Sequence, residues 1–382
     1  MNMKWKLIIF TLIFFLLLTN IPQTAEASVS VSARNAILME QESGRVLFEK
    51  SAHEKRRIAS ITKIMTAILA IESGKLEDMV TISERAEGTE GSSLFLKKNE
   101  KVKLEDLVYG LMLRSGNDAA VAIAEHVGGS LEGFVFLMNE KAREIGMANS
   151  HFANPHGLDD SDSHYSTAYD MAILTRYAME NDTYKKISGT EVHHAPNPTE
   201  KWDRVWRNKN RLLTGLYNYS TGGKTGYTKL AKRTLVSTAM KDNMNLIAVT
   251  LNGPDDWNDH IGMFEMAFKK YEMVKVIEAG IIAEIDEDFY KQKVYFEHDY
   301  RYPVTSEEKG KFQVDMKLQT PKQEWEEARN IPTVVGKATI TFDNKLIKEL
   351  PIYYEIDDSE QLSLFERFKN LFTAMIGVNN NG

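Results

Sequence analysis

The sequence predicts a mixed α/β protein of the α+β type with two domains and a terminal amphipathic helix. Three observations lead to this prediction. The chain has 382 residues, enough for two domains of ordinary size. Up to about residue 270, strand-like runs open and close the chain around a helical middle. From about residue 275 onward, short alternating runs typical of antiparallel strands take over.

Composition excludes several classes of function. The net charge of −7 argues against a nucleic-acid-binding protein, which usually carries a basic excess. The absence of cysteine excludes disulfide scaffolds, thiolate zinc sites, iron–sulfur clusters and a cysteine nucleophile. Too few acidic or histidine residues lie at helical spacing from His193 and His194 to complete a metal site, so we expect no metal and no cofactor.

Residues 1–27 resemble an export signal. Lys4 and Lys6 precede the apolar run from Leu7 to Leu18, and Ala25-Glu26-Ala27 is a small-x-small cleavage site. The run is short for a spanning helix, which needs about 20 apolar residues. We therefore expect an exported protein, with an uncleaved anchor as the alternative.

Residues 28–272 are predicted to form the first domain. Strand-like runs at Asn35–Met39 and Val46–Glu49 flank a glycine turn. Helical periodicity follows at Ser60–Gly74, Leu104–Leu113, Asp118–His126, Phe134–Ile145 and Tyr169–Met179. Strand signals return at Thr221–Thr228, Thr234–Met240 and Leu246–Leu251. The economical arrangement is one antiparallel sheet whose first and last strands meet, packed by the helical middle.

Residues 273–357 are predicted to form a small antiparallel domain, because apolar and polar residues alternate over Phe312–Leu318 and again at 338–342. Residues 358–378 then form an amphipathic helix with three phenylalanines within its apolar arc. Such a helix can lie in the membrane interface with its apolar face towards the lipid acyl chains. The alternative is a helix docked on its own domain or on a second subunit.

A Ser-x-x-Lys pattern begins the strongest helix signal. Ser60 and Lys63 lie one turn apart on one helical face. A serine hydroxyl needs an adjacent base to attack, and an amine serves if burial or a neighbouring cation lowers its pKa. The pattern alone is not specific, since Ser306-Glu-Glu-Lys309 also fits it.

Two further motifs raise the specificity. Ser115-Gly116-Asn117 lies between two predicted helices, where it could instead act only as a helix N-cap. Lys224-Thr225-Gly226 lies on a predicted strand after two glycines, where the alternative is a bulge or tight bend. The three motifs together, in this order, are the signature of class A β-lactamases and penicillin-binding proteins.

The chain resembles the low-molecular-mass penicillin-binding proteins, the D-alanyl-D-alanine carboxypeptidases of bacterial wall metabolism. The resemblance rests on the stretches at 57–63, 113–120, 154–158 and 221–227 and covers nearly the whole chain. It implies a penicilloyl serine transferase fold, β-lactamase-like in its catalytic domain. Within the family, the resemblance is nearest to the sporulation-specific enzyme that trims spore cortex peptidoglycan in endospore-forming Gram-positive bacteria.

The resemblance also implies roles for individual residues. Ser60 becomes the acyl-accepting nucleophile and Lys63 its base. Ser115 passes a proton to the leaving D-alanine, Asn117 holds the acyl amide of the substrate, and Lys224 keeps Lys63 partly neutral and attracts the terminal carboxylate.

The implied substrate-binding residues include Thr225, Gly226 and Tyr227 on the same strand. Thr225 donates to the substrate carboxylate, while the backbone N–H groups of Ser60 and Tyr227 form the oxyanion hole. Many relatives bind the carboxylate with an arginine after the last core strand, and our alignment places His260 there. We expect weaker carboxylate binding, or a larger share for Lys224 and Thr225.

The implied activity is removal of the last D-alanine from peptidoglycan pentapeptide stems, with β-lactams as covalent inhibitors. Two alternatives stay open. A β-lactamase is disfavoured because the sequence lacks the Glu-x-x-Leu-Asn context of class A deacylation: Leu251-Asn252 has no glutamate three residues before the leucine. A penicillin-sensing or wall-binding protein without turnover is disfavoured by the intact set of Ser60, Lys63 and Lys224.

Overall fold

A computed structural model describes residues 29–197, 200–326 and 330–355. The predicted signal segment 1–27 and the predicted terminal helix 358–378 lie outside the described residues. The helices are α1 (Lys63–Glu72), α2 (Glu84–Glu87), α3 (Leu104–Arg114), α4 (Asn117–Gly128), α5 (Leu131–Glu144), α6 (Ala168–Ala178), α7 (Asp182–Ser188) and α8 (Asp256–Lys270). A 3₁₀ turn, Ala59–Thr62, leads into α1.

The first-domain strands are β1 (Asn35–Glu40), β2 (Val46–Lys50), β3 (Met79–Thr81), β4 (Lys101–Lys103), β5 (Val192–Ala195), β6 (Arg204–Arg207), β7 (Ser220–Thr228), β8 (Lys232–Lys241) and β9 (Met244–Leu251). Five of them form one antiparallel sheet in the order β2-β1-β9-β8-β7. The first strand pairs with the last, with Ile37 opposite Val249. This confirms the predicted closure of the sheet.

The two faces of this sheet pack against different partners. Val236 and Val249 belong to the main core, which includes α1 and most of the other helices. Leu235 and Ala248, their neighbours along the same strands, belong to a second core with α8. Side chains alternate between faces along a strand, so the sheet is a middle layer with helices on both sides.

Helix α1 is the centre of the main core. Eight of its ten residues are buried, Lys63 among them. A helix that is apolar on all sides belongs in an interior rather than on a surface. The turn that carries Ser60 is therefore held by a rigid buried element.

The second domain has the strands β10 (Glu272–Ile277), β11 (Gly280–Ile281), β12 (Val294–Phe296), β13 (Tyr300–Val304), β14 (Phe312–Leu318), β15 (Val334–Phe342) and β16 (Lys345–Tyr354). Five of them form an antiparallel sheet in the order β11-β12-β16-β15-β14, and β10 and β13 form a separate pair. Arg45, beside the β1–β2 turn, reaches this domain through a hydrogen-bonded ion pair of 2.6 Å with Glu308 and lies 5.2 Å from the ring centre of Tyr302. This contact attaches the first sheet to the β domain.

The α+β class and the all-β second domain predicted from the sequence are confirmed. The residue pattern did not predict α2, α7, α8 or the short strands β3 to β6. Strands of three or four residues carry too few alternations to be recognised. Helix α8 begins in the acidic stretch after the last core strand, which had been interpreted only as the position of a carboxylate-binding residue.

Candidate active site

Lys63 lies at the centre of a small polar network at the start of α1. Its Nζ lies 3.0 Å from Ser60 Oγ, 2.7 Å from Asn117 Oδ1 and 2.8 Å from the backbone oxygen of His156. The side chain is completely buried. Asn117 Oδ1 and the backbone oxygen of His156 can only accept, so an unprotonated Lys63 amine donates its two N–H bonds to them. Its lone pair then points at Ser60 Oγ.

Burial and charge favour the neutral form of this amine. Loss of hydration lowers the pKa of Lys63 well below its usual value, and the charges of Lys224 and Lys209 lower it further. The carboxylate of Asp118 acts in the opposite direction with a smaller effect. The site therefore has a buried base whose neutral form is favoured, as activation of a serine hydroxyl requires.

Ser115 and Asn117 lie at the junction of α3 and α4. Ser115 ends α3 in the left-handed conformation, with φ of +65°, and is 5% exposed. Asn117 accepts from Lys63, and its Nδ2 donates to the backbone oxygen of Glu90 at 2.7 Å. In this structure Asn117 holds the lysine, and its amide nitrogen is occupied by the protein itself.

Lys224 lies on β7, the edge strand of the first sheet. Its Nζ donates to the backbone oxygen of Thr225 at 2.7 Å, and the side chain is 1% exposed. Burial, followed by the charge of Lys209, lowers the pKa of Lys224 to about 7. Near neutral pH it is therefore partly charged.

The rest of this motif lies next to Ser60. A Cβ on Gly226 would come within 2.9 Å of the backbone nitrogen of Ser60, so only glycine allows β7 this close approach. Tyr227 is 63% exposed at the rim. Thr225 is opposite Leu235 in register and half-buried. The strand and the turn thus face each other across a narrow gap.

The structure corrects the prediction for His260. The residue lies on α8, fully buried, with Nε2 2.9 Å from Thr250 Oγ1 and Nδ1 bonded to Ser237 Oγ. Ser237 neighbours Val236, the register partner of Lys224, so its side chain lies on the opposite face of the sheet from Lys224. Burial lowers the pKa of His260 to about 3, which leaves the ring uncharged. It therefore lacks both the position and the charge to bind a carboxylate.

We expect His260→Gln to leave KM for a D-Ala-D-Ala peptide within about twofold and to improve stability in acid. The unfolded histidine takes up a proton near pH 6.5, whereas the folded ring stays neutral down to about pH 3. Stability is thus lost as pH falls through this window, and His260 accounts for about 2 kcal/mol of that loss at pH 4.5. Urea unfolding at pH 7 and pH 4.5 measures this share. A several-fold rise in KM with kcat unchanged would restore the binding role.

Sequence analysis missed two contributors to the site. Lys209 lowers the pKa of both buried lysines, although it lies in the loop after β6. The backbone oxygen of His156 accepts from Lys63, within a loop interpreted only as structural. A backbone acceptor leaves no signal in the sequence, since any residue type supplies one.

Neither a metal centre nor a complete membrane span is present in the part of the chain that the structure describes. Within residues 29–197, 200–326 and 330–355, no group of three or more histidine or acidic residues could hold a metal ion. In the same ranges no single helix is long and apolar enough to cross a membrane. Helices α4 and α5 taken together have the length and the apolar composition of a span, but an 84° bend separates them.

Two family profiles match the chain. Residues 21–255 match the profile described as D-alanyl-D-alanine carboxypeptidase, and residues 271–360 match that of the C-terminal domain of penicillin-binding protein 5. Among solved structures, penicillin binding protein 5 from Haemophilus influenzae is similar with a TM-score of 0.69 at 29% identity, covering 87% of this chain and 98% of that one.

Curated relatives carry the same description as the first of these profiles. The D-alanyl-D-alanine carboxypeptidase DacF of Bacillus subtilis is 40% identical over 249 residues, which is 63% of this chain and 63% of that protein, slightly under two thirds of its length. DacC of Escherichia coli is 38% identical over 289 residues, which is 72% of this chain and 69% of that protein.

The fold and the matched profiles define a serine peptidase of the penicillin-binding class. The chain belongs to the D-alanyl-D-alanine carboxypeptidase family.

Proposed function

We propose that this chain removes the terminal D-alanine from peptidoglycan pentapeptide stems through an acyl-enzyme on Ser60. The observation that carries the proposal is the 3.0 Å contact between Ser60 Oγ and the buried amine of Lys63, whose pKa is strongly lowered. An unprotonated amine at hydrogen-bond distance can take the hydroxyl proton as the oxygen attacks.

The reaction has two steps. Ser60 Oγ attacks the carbonyl carbon of the penultimate D-alanine while Lys63 takes its proton. The C–N bond then breaks, Ser115 passes its proton to the departing D-alanine nitrogen, and Lys63 returns the proton it took from Ser60 to Ser115, so that Lys63 is neutral again. Water attacks the resulting ester, Lys63 accepts a proton from that water, and the shortened peptide leaves with a new carboxylate as Ser60 regains its proton.

Binding follows from the gap between the Ser60 turn and β7. Lys224 and Thr225 attract the terminal carboxylate of the substrate, and Gly226 lets an extended peptide approach the strand. Within the described residues, β7 is an edge strand of the first sheet, so its free edge can pair with the substrate as an added strand. The N–H groups of Ser60 and Tyr227 are the proposed oxyanion donors.

The test is D-alanine release from a synthetic peptide ending in D-Ala-D-Ala, with intact-mass analysis after incubation with penicillin. We expect catalytic release and one penicilloyl adduct on the peptide containing Ser60. Rapid penicillin hydrolysis without D-alanine release would indicate a β-lactamase. An adduct without release would indicate a sensing protein, and neither result is compatible with a carboxypeptidase.

We also propose an extracytoplasmic protein attached to the membrane surface. Residues 1–27 would direct export, and residues 358–378 would lie in the interface of the cell membrane, or of the outer forespore membrane, through their phenylalanine-rich face. This location matches a peptidoglycan substrate. The proposed spore cortex role, in which trimmed stems limit cross-linking, rests on the resemblance alone.

We expect deletion of residues 360–382 to move the mature protein from the membrane fraction to the soluble fraction. Loss of the apolar face removes the area that would partition into the interface. Fractionation followed by penicillin labelling measures this shift, and unchanged labelling shows that the catalytic domain is intact. Retention of the shortened, signal-cleaved protein on membranes would contradict the anchor.

A further inference from the structure

We propose that Thr62 and His164 are positioning residues that aim the backbone N–H of Ser60 into the oxyanion hole. The inference rests on the proposed function, because it assigns Ser60 an acyl-enzyme role. It concerns a buried chain of hydrogen bonds behind the nucleophile, which the reaction scheme above does not use.

The peptide that precedes the nucleophile is strained. Ala59 has a φ of +50°, a left-handed conformation that is unfavourable for a non-glycine residue. The residue is 1% exposed. Such a conformation persists only where the surroundings hold it, and it is common at functional sites.

Two groups fix the orientation of the peptide bond between Ala59 and Ser60. Thr62 Oγ1 donates to the backbone oxygen of Ala59 at 2.7 Å. Gly157, with φ of +84°, packs against the same oxygen and against Thr62 Oγ1, so closely that a Cβ there would collide with both. The direction of the Ala59 carbonyl is thereby determined.

The direction of this carbonyl also determines the direction of the Ser60 N–H. Both belong to one planar trans peptide, in which the C=O and the N–H point in opposite directions. N–H groups in the first turn of a helix lack partners inside that helix, so this one is free to face a ligand. Anchoring the Ala59 oxygen therefore aims the Ser60 N–H toward the gap beside Gly226.

His164 completes the chain of hydrogen bonds. The backbone N–H of Ala153 donates to its Nδ1 at 3.1 Å, which places the proton of the neutral ring on Nε2. Nε2 lies 2.8 Å from Thr62 Oγ1 and donates to it, so the hydroxyl proton of Thr62 must point at Ala59. The ring is 2% exposed, and burial lowers its pKa to about 4, so it stays neutral near pH 7.

The size of the expected effect follows from hydrogen-bond geometry. Removal of one oxyanion donor lowers kcat by about 10²–10³-fold in measured cases. Hydrogen bonds weaken steeply as their angle departs from linear, so a misaligned donor loses part of its contribution to kcat. We therefore expect loss of the Thr62 hydroxyl to lower kcat by about 10–100-fold, while KM changes by less than about threefold.

The test compares two threonines four residues apart, Thr62 at the end of the 3₁₀ turn and Thr66 in α1. Thr62→Val removes the bond to Ala59 and nearly preserves side-chain volume. Thr66→Val is the matched control, because Thr66 Oγ1 donates to the backbone oxygen of Pro155 at 2.6 Å and is equally buried. Both variants lose a buried hydroxyl-to-carbonyl bond, so a merely structural role predicts similar losses in Tm and in activity. We expect similar shifts in Tm, with a large loss of kcat only in Thr62→Val.

Conservative substitutions provide a second readout that does not depend on stability. Thr62→Ser keeps the hydroxyl and should restore most of kcat even where it lowers Tm. His164→Gln can still donate to Thr62 from its amide, whereas His164→Asn keeps only an acceptor near Ala153. We expect the glutamine variant to retain clearly more kcat than the asparagine variant.

The outcomes separate the two proposals. If wild-type protein releases no D-alanine, the proposed function fails, and this inference fails with it. If the wild type is active while Thr62→Val and Thr66→Val keep equal kcat, or while kcat simply follows Tm in all five variants, the positioning role is wrong and the function stands.

Discussion

Replacing Ser60 with alanine is expected to lower D-alanine release by at least about 10⁴-fold and to abolish the penicillin adduct. The residual rate comes only from substrate binding and the backbone donors. The fold should be preserved, because Ser60 is half-buried and its hydroxyl contacts only Lys63 among the described side chains. The measurements are D-alanine release, intact mass after penicillin treatment, and Tm.

The chain contains its own control for this experiment. Ser306 begins a second Ser-x-x-Lys pattern, in the β domain, where it lies in a short 3₁₀ turn rather than before a buried helix. Ser306→Ala should retain full activity and full labelling. Persistent release or labelling in Ser60→Ala would mean that another group is acylated, and the proposed mechanism would then be wrong.

The second large effect is expected for Lys63→Met, which we predict to lower kcat by about 10³–10⁴-fold. Methionine fills the space of the lysine stem but cannot accept the serine proton. Binding should change far less, since Lys224 and Thr225 remain on β7. The loss should therefore fall on kcat rather than on KM, which steady-state kinetics with a D-Ala-D-Ala peptide will measure.

Lys309→Met serves as the control for this substitution. Lys309 forms an ion pair with Glu272 on the protein surface and has no contact with Ser60. The Lys309→Met variant should retain full activity. If Lys63→Met retained a rate within about tenfold of the wild type, the base would have to be another group, and the neutral amine would lose its proposed role.

The fold class was predictable because it depends on local periodicity. The β-rich runs at β7 to β9 and the helical spacing in α1, α3, α4, α5 and α6 were visible in the residue pattern. The contact between the first and last strands was also correct, because strand signals at the two ends of a helical region leave few other ways to bury both. Helix α8 was missed although it covers a full face of the sheet.

The candidate site was likewise predictable from the sequence only in part. The Ser-x-x-Lys spacing predicted the pairing of Ser60 and Lys63, because one helical turn separates them in any helix. Asn117 was also identified, but the sequence did not indicate that its oxygen binds Lys63 rather than substrate. His260 was placed in the site by alignment, whereas strand alternation places its partner Ser237 on the opposite face from Lys224.

The amino-acid sequence by itself determined the fold class, the family and the spacing of three motifs. These features follow from short-range geometry, in which residue type and separation along the chain set which side chains share a face. Only the three-dimensional structure showed which lysines have lowered pKa values, which face His260 occupies and what holds the strained peptide at Ala59. Burial, charge at a distance and hydrogen bonds between remote segments depend on three-dimensional proximity, and a one-dimensional pattern does not contain it.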